Sequence, residues 1–446
     1  MSTCLVCKNR IRSRLTTTRL MILSACLALL ASTSYAQGLP EGDPQALGFS
    51  TARLHRVENI VAGAVAREEI AGAVALIARR GEIAYLQTFG MADIDDQEPM
   101  EVDTIFRIAS MTKPVTSLAV MMLYEEGHFL LSDPVSDYIP ELKNLRVLTT
   151  GSDNVETVAA ESEITIRQLL THTSGISYRF ISSGDKRETI ARLYAEAGVS
   201  DGLSETEGRI ADLSRQLGEL PLLFEPGEQF AYGLSIDVLG HLVEVVSGMT
   251  LTEYFDSQIF EPLAMVDTHF YLDDNKVGRL ASVYTSTEDG GMRELGNETV
   301  VNDYLVYSAT YPYSGPGSYY SGGAGLVSTI SDYVRLLQMF LNGGELDGIR
   351  LLSPTTVAMM TRNNIGDLDV GPGTKFGLGF AVLEDPGLAG NPGSVGTYFW
   401  GGFFNTQFFV DPEEELIGVI MTQRFPADRG NVRQKFVNGA YQALVD

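Results

Sequence analysis

Residues 104–114 read Thr104-Ile105-Phe106-Arg107-Ile108-Ala109-Ser110-Met111-Thr112-Lys113-Pro114, and the fold turns on this stretch. Residues 105–109 have the composition of a short buried strand. They run directly into a helical pattern over 110–126, where Met111, Val115, Leu118, Ala119, Val120, Met121, Met122 and Leu123 cover every face. A helix apolar all round is a buried one. Ser110 and Lys113 thus stand where a buried strand meets a buried helix. Their i,i+3 spacing puts both side chains on one helix face. Pro114 fits there because the first four helix N–H groups lack intrahelical partners.

That junction suits a nucleophile. A serine hydroxyl is weak until a base sits beside it. Lysine can be that base only where desolvation or a neighbouring cation favours the neutral amine. A buried helix start supplies desolvation, a positive dipole end and backbone donors for an oxyanion. A second Ser-x-x-Lys, Ser183 with Lys186, lies in a polar loop before a helix, where Ser183 reads as a cap or loop residue. The motif is common by chance, so the buried context is what singles out Ser110 and Lys113.

Other chemistries are missing. No serine has glycine at both minus two and plus two, so there is no nucleophile elbow. The histidines (His55, His128, His172, His241, His269) form no close pair, and a metal site is unsupported. Neither a phosphate loop nor a dinucleotide fingerprint opens a helix after a strand. No cofactor is implied.

Further out, the first 36 residues contain Lys8, Arg10, Arg12, Arg14 and Arg19 and no acid, then a 12-residue apolar run over 20–31, then Ser34-Tyr35-Ala36. That is the pattern of a signal peptide cleaved after Ala36. The run is short of the roughly 20 apolar residues a bilayer span needs. Leu23-Ser24-Ala25-Cys26 is a weaker rival, a lipoprotein box that would anchor the chain through Cys26. The expectation is a secreted or periplasmic protein with no transmembrane segment in its mature chain. Cys4, Cys7 and Cys26 are the only cysteines, so cleavage leaves no thiol and no disulfide. Five of the 32 Lys plus Arg and none of the 57 Asp plus Glu lie in the leader, leaving a remainder near −30. So acidic a chain is a poor partner for nucleic acid.

Strands are expected at 71–78 and 83–89, joined by Arg79-Arg80-Gly81-Glu82, and again at 376–382, 406–410 and 416–422. Helices are expected at 51–67, 166–170, 236–246, 331–341 and 432–445. The arrangement predicts an α/β (α+β) chain: a mixed lobe of about 37–145 plus 325–446 with an antiparallel sheet flanked by helices, and an inserted, mostly helical lobe of about 146–324.

The segment 104–114 resembles the serine β-lactamase and penicillin-binding-protein superfamily, in particular class C β-lactamases and family VIII carboxylesterases. Leu131-Ser132-Asp133-Pro134-Val135, Leu170-Thr171-His172-Thr173-Ser174-Gly175 and the run from Pro226 to Gly240 are similar to the same family. The resemblance spans about residue 45 to the C-terminus and implies a β-lactamase/transpeptidase-like fold with an acyl-enzyme on Ser110. It implies that Tyr232 is the tyrosine of the family's Y-x-N motif and shares proton transfer with Lys113. Leu234 replaces the motif's asparagine. Trp400-Gly401-Gly402-Phe403 stands where lactamases carry K-T-G, as in family VIII esterases. The N–H groups of Ser110 and Phe403 would form the oxyanion hole. Trp400, Gly401, Gly402 and Leu234 would contact substrate.

These readings imply an exported serine hydrolase for short-chain carboxylic esters. A β-lactamase, a D-amino-acid peptidase and a non-catalytic binder of cell-wall peptides stay open. The partner is a small-molecule ester or amide, and the sequence leaves oligomeric state undetermined. Ser152-Asp153-Asn154 spells a lactamase motif but sits in an unrelated polar loop. His172 is expected to have a structural part, and Asp237 a dipole-favoured place in a first helical turn, with a supporting part at the site as the alternative. Six tyrosines between 304 and 320 either line an acyl pocket or pack a loop.

Overall fold

In the computed structural model the described residues are 38–151, 155–288, 290–427 and 430–446. The leader with Cys26 and Ala36, and the Ser152-Asp153-Asn154 motif, lie outside them.

The helices that matter for the site are α1 (Thr51–Ala66), α2 (Thr112–Glu125), α3 (Ser235–Ser247), α4 (Ile330–Leu341) and α5 (Val432–Ala443). The strands β1 (Gly72–Arg79), β2 (Glu82–Asp93), β3 (Glu98–Pro99), β4 (Thr374–Phe376), β5 (Ala381–Leu383), β6 (Tyr398–Gly401), β7 (Gln407–Asp411) and β8 (Leu416–Met421) form one eight-stranded sheet. Its order is β4-β5-β6-β7-β8-β1-β2-β3, antiparallel throughout. Early and late chain meet where Val74 pairs with Met421.

β1 is buried at all eight positions because both faces of the sheet are covered. Val74, Leu76 and Ala78 join the large core that also holds α2, α3 and α4. Ala73, Ala75 and Ile77 face the other way, into a smaller core with Val57 and Val61 of α1 and Phe436 and Ala440 of α5. Arg80 (φ +54°) and Gly81 (φ +83°) make the tight β1–β2 hairpin turn, whose positive dihedrals match the strand twist.

The expected single strand at 376–382 is two strands. Gly379, at φ +95°, breaks the run between β4 and β5. The middle of the chain also carries paired hairpins beside its helices, Tyr284–Ser286 with Met292–Glu294 and Thr299–Asn302 with Leu305–Ser308. Their strands are three and four residues long, too short for alternation to stand out from loop sequence. Among the described residues no helix is long and apolar enough to cross a membrane.

Candidate active site

Phe106–Arg107 is a short strand paired with Val327–Ser328, and Arg107 anchors it. The Arg107 guanidinium is buried and donates to the carbonyls of Ala281 and Ala309. Burial pulls its pKa down to about 10. The chain then turns through Ala109, whose φ of +42° is uncommon for a residue with a Cβ. Ser110 therefore sits in a 3₁₀ turn, Ala109–Met111, and α2 begins only at Thr112, two residues later than the hydrophobic pattern suggests. Three bonds lock the turn: Ile108 N–H to Leu326 O, Leu326 N–H to Thr112 Oγ1, and Tyr333 OH to Met111 O.

Lys113 is 1% exposed. Its Nζ lies 3.2 Å from Ser110 Oγ, 2.8 Å from Tyr178 OH and 2.7 Å from Gly323 O. An ammonium has three protons, and three acceptors surround it. The Tyr232 hydroxyl is not among those three. Lys113 Nζ lies over the Tyr232 ring, 4.7 Å from its centre, and the Tyr232 hydroxyl accepts from Trp400 Nε1 at 3.4 Å. Tyr178 thus holds the place beside the lysine that the motif suggested for Tyr232. Burial, with help from Tyr232, Asp237 and Asp201, raises the Tyr178 pKa well above its ordinary value, so it stays a phenol.

Ser110, Tyr232, Trp400, Gly401, Gly402 and Phe403 line one cleft of about 380 Å³, together with Phe180 and Arg433. Gly402 has to be glycine, since a Cβ there would fall 2.4 Å from Ile108 O and 2.2 Å from Thr406 Oγ1. The β6–β7 loop therefore presses on the backbone just before Ser110. Trp400 packs on Tyr232 and Phe376, and Phe403 stacks on Phe425 with ring centres 3.8 Å apart.

Leu234 is the exception among the expected contact residues. It is fully buried, joins the large core and does not line the cleft. An apolar residue at the start of α3 turns inward with the helix's other buried positions, so it is packing and not a substrate contact.

Two further residues gave no signal in the sequence, and a third, His172, takes the structural part expected of it. Tyr178 sits in an irregular loop with no motif of its own. Phe180 stacks on Tyr178 and forms a cleft wall. His172, at φ +54°, grips both neighbours of Tyr232: its carbonyl accepts from Ala231 N–H at 2.8 Å and its Nδ1 from Gly233 N–H at 3.4 Å. Burial, then the Lys113 charge, lowers its pKa well below the ordinary value, so the ring is neutral and Nδ1 can accept. Ser183 is exposed, and Lys186 donates to Leu148 O far from these groups. None of the six tyrosines lines the cleft; Tyr307 and Tyr311 pack a small core, with Tyr307 against Phe403.

A serine hydroxyl within reach of a buried amine, under an aromatic wall and beside close-packed backbone, is an arrangement for acyl transfer. The comparisons agree. Residues 57–441 match the family described as Beta-lactamase. Esterase EstB of Burkholderia gladioli is 34% identical over 389 residues, covering 85% of this chain and 93% of that one. The solved structure of EstCE1, a hydrolase with promiscuous acyltransferase activity, superposes with a TM-score of 0.75 at 31% identity, covering 89% of this chain and 99% of that one. The LovD6 mutant of simvastatin synthase from Aspergillus terreus gives a TM-score of 0.71 at 26% identity, covering 89% of this chain and 98% of that one.

Proposed function

Because the chain belongs to the Beta-lactamase family and is a serine hydrolase of its esterase-like branch, we propose that it is an exported carboxylesterase for short-chain esters. The observation that carries this reading is the pair Ser110 Oγ and Lys113 Nζ, 3.2 Å apart beside a cleft walled by Trp400, Phe180 and Phe403. Ser110 Oγ attacks the ester carbonyl while Lys113 takes its proton. The N–H groups of Ser110 and Phe403 hold the oxyanion. The Tyr232 hydroxyl, on the cleft wall, gives its proton to the departing alcohol; its phenolate then takes a proton from the water that attacks the acyl-enzyme, and Lys113 returns the serine proton to Ser110 Oγ as the acid leaves. With tryptophan at 400 and leucine at 234, the groups that would hold a β-lactam's carboxylate and side-chain amide are missing. The leader directs export, and its removal falls after Ala36.

A panel of p-nitrophenyl butyrate, a chromogenic cephalosporin and a D-Ala-D-Ala peptide tests the substrate class. The butyrate ester should be turned over fastest, and Ser110→Ala should abolish turnover. Efficient cephalosporin hydrolysis with no ester hydrolysis would overturn the esterase preference. Labelling of Ser110 by a fluorophosphonate excludes a mere binding module. Periplasmic protein beginning at Gln37 is expected, and a lipid-modified Cys26 would refute that cleavage.

A further inference from the structure

Asp237 lies in the first turn of α3 with no exposure to solvent. Its contacts point away from its own helix. Oδ1 accepts from Ser321 Oγ at 2.5 Å and from Gly323 N–H at 3.1 Å. Gly323 then turns its carbonyl onto Lys113 Nζ at 2.7 Å, and the Gly322 carbonyl accepts from Thr116 Oγ1 at 2.6 Å. Residues 321–323 are thus pinned by α3 on one side and α2 on the other. The fit leaves no slack, since a Cβ on Gly323 would fall 2.2 Å from Asp237 Oδ2.

We propose that Asp237 is a positioning residue for the hydrolysis: by clamping residues 321–323 it fixes Gly323 O as an acceptor for Lys113, and its buried charge balances the ammonium. This rests on the assignment of Ser110 and Lys113 as the reacting pair. When the amine is neutral, two N–H bonds still face Gly323 O and Tyr178 OH. The lone pair then has one direction left, toward Ser110 Oγ. Without the clamp, the carbonyl can move and the amine can rotate.

The charged and titratable groups around the pair are few. Lys113 faces Tyr178, Tyr232, His172 and Asp237; Asp237 also interacts with Tyr319 and Asp201. Burial raises the Asp237 carboxyl, and the Lys113 charge opposes that. His172 is held neutral, and Tyr178 and Tyr319 are held as phenols. Asp201, pushed up to about 7, is the one neighbour that titrates in the working range and needs its own control.

The test compares the full chain, Ser110→Ala, Asp237→Asn, Ser321→Ala and Asp201→Asn on p-nitrophenyl butyrate from pH 5 to 9. Asp237→Asn should lower kcat by about tenfold or more with KM within about twofold, because only the reacting geometry changes. It should also move the limb of kcat/KM that reports the Ser110–Lys113 pair to lower pH by about one unit, a tenfold change in proton equilibrium. Ser321→Ala should lower kcat less and leave the limb in place, since the charge remains. Asp201→Asn should keep kcat. A folded Asp237→Asn with unchanged kcat, or with lowered kcat and an unmoved limb, refutes the proposal. If Asp237→Asn does not fold, unchanged kcat in Ser321→Ala refutes it. Turnover surviving in Ser110→Ala would instead overturn the assignment of the reacting pair.

Discussion

Gly402→Ala is the sharpest probe of how the site is assembled. The added methyl would lie 2.4 Å from the Ile108 carbonyl oxygen, about 1 Å inside ordinary van der Waals contact. That oxygen cannot yield easily, because Ile108 N–H and Arg107 O are themselves bonded, to Leu326 O and Gln423 Nε2. The β6–β7 loop must therefore retreat by much of that distance, carrying the Phe403 N–H away from Ser110. Loss of one oxyanion donor costs about 10²–10³ in kcat, and a misplacement of about 1 Å costs about 10². We expect kcat for p-nitrophenyl butyrate to fall about a hundredfold with KM nearly unchanged. Active-site titration would show that the protein is folded and intact. Gly401→Ala is the control, since its nearest neighbours are 3.0 Å (Thr406 O) and 3.1 Å (Arg433 Nη1) away, one of them the end of a flexible side chain. It should cost only a few fold. A Gly402→Ala enzyme with kcat within twofold of the parent would refute the coupling between this loop and Ser110.

The remaining predictions concern single contacts. Tyr178→Phe removes the acceptor 2.8 Å from Lys113 Nζ, and a hydrogen bond to a charged group is worth about 1.5–3 kcal/mol. Its kcat should fall about tenfold to a hundredfold while the ring stays stacked on Phe180, as steady-state kinetics and a melting curve would show. Leu234→Asn, which restores the Y-x-N spelling, should cost about 2–4 kcal/mol in urea unfolding and yield no cephalosporin hydrolysis, because position 234 is core. Asp201 has its carboxyl raised by burial from 3.8 to about 7, so between those values the folded state binds its proton more tightly than the unfolded chain. That contribution is fully present below the unfolded value and is lost as pH rises through the folded one. Urea unfolding at pH 5 and 8 should show a fall of roughly 2–3 kcal/mol from this group, absent in Asp201→Asn.

Several elements could be read from sequence because burial writes itself into local composition. The all-round apolar pattern of 110–126 became α2, buried from Thr112 through Leu123. The alternating runs around Arg80-Gly81 became the β1–β2 hairpin. Leu234 shows where a motif misleads. Its place two residues after Tyr232 marked it as a substrate contact, yet the start of α3 carries it into the core. The six tyrosines show the converse: Tyr307 and Tyr311 pack a small core, Tyr319 joins the large one, and the cleft walls fall to Phe180, Trp400 and Phe403.

The local sequence sufficed to place a serine three residues before a lysine where a buried strand runs into a buried helix. Such spacing is a local property, so it holds whether the serine sits in the α-helix or in the 3₁₀ turn before it. The surroundings of Lys113 come from long-range packing instead. Tyr178, Gly323 and Ser110 are separated by 68 to 213 positions in the chain, and they meet because α2 and α3 pack around residues 321–323. The two acceptors that close on the ammonium from distant segments, Tyr178 and Gly323, leave no trace in the sequence around Lys113.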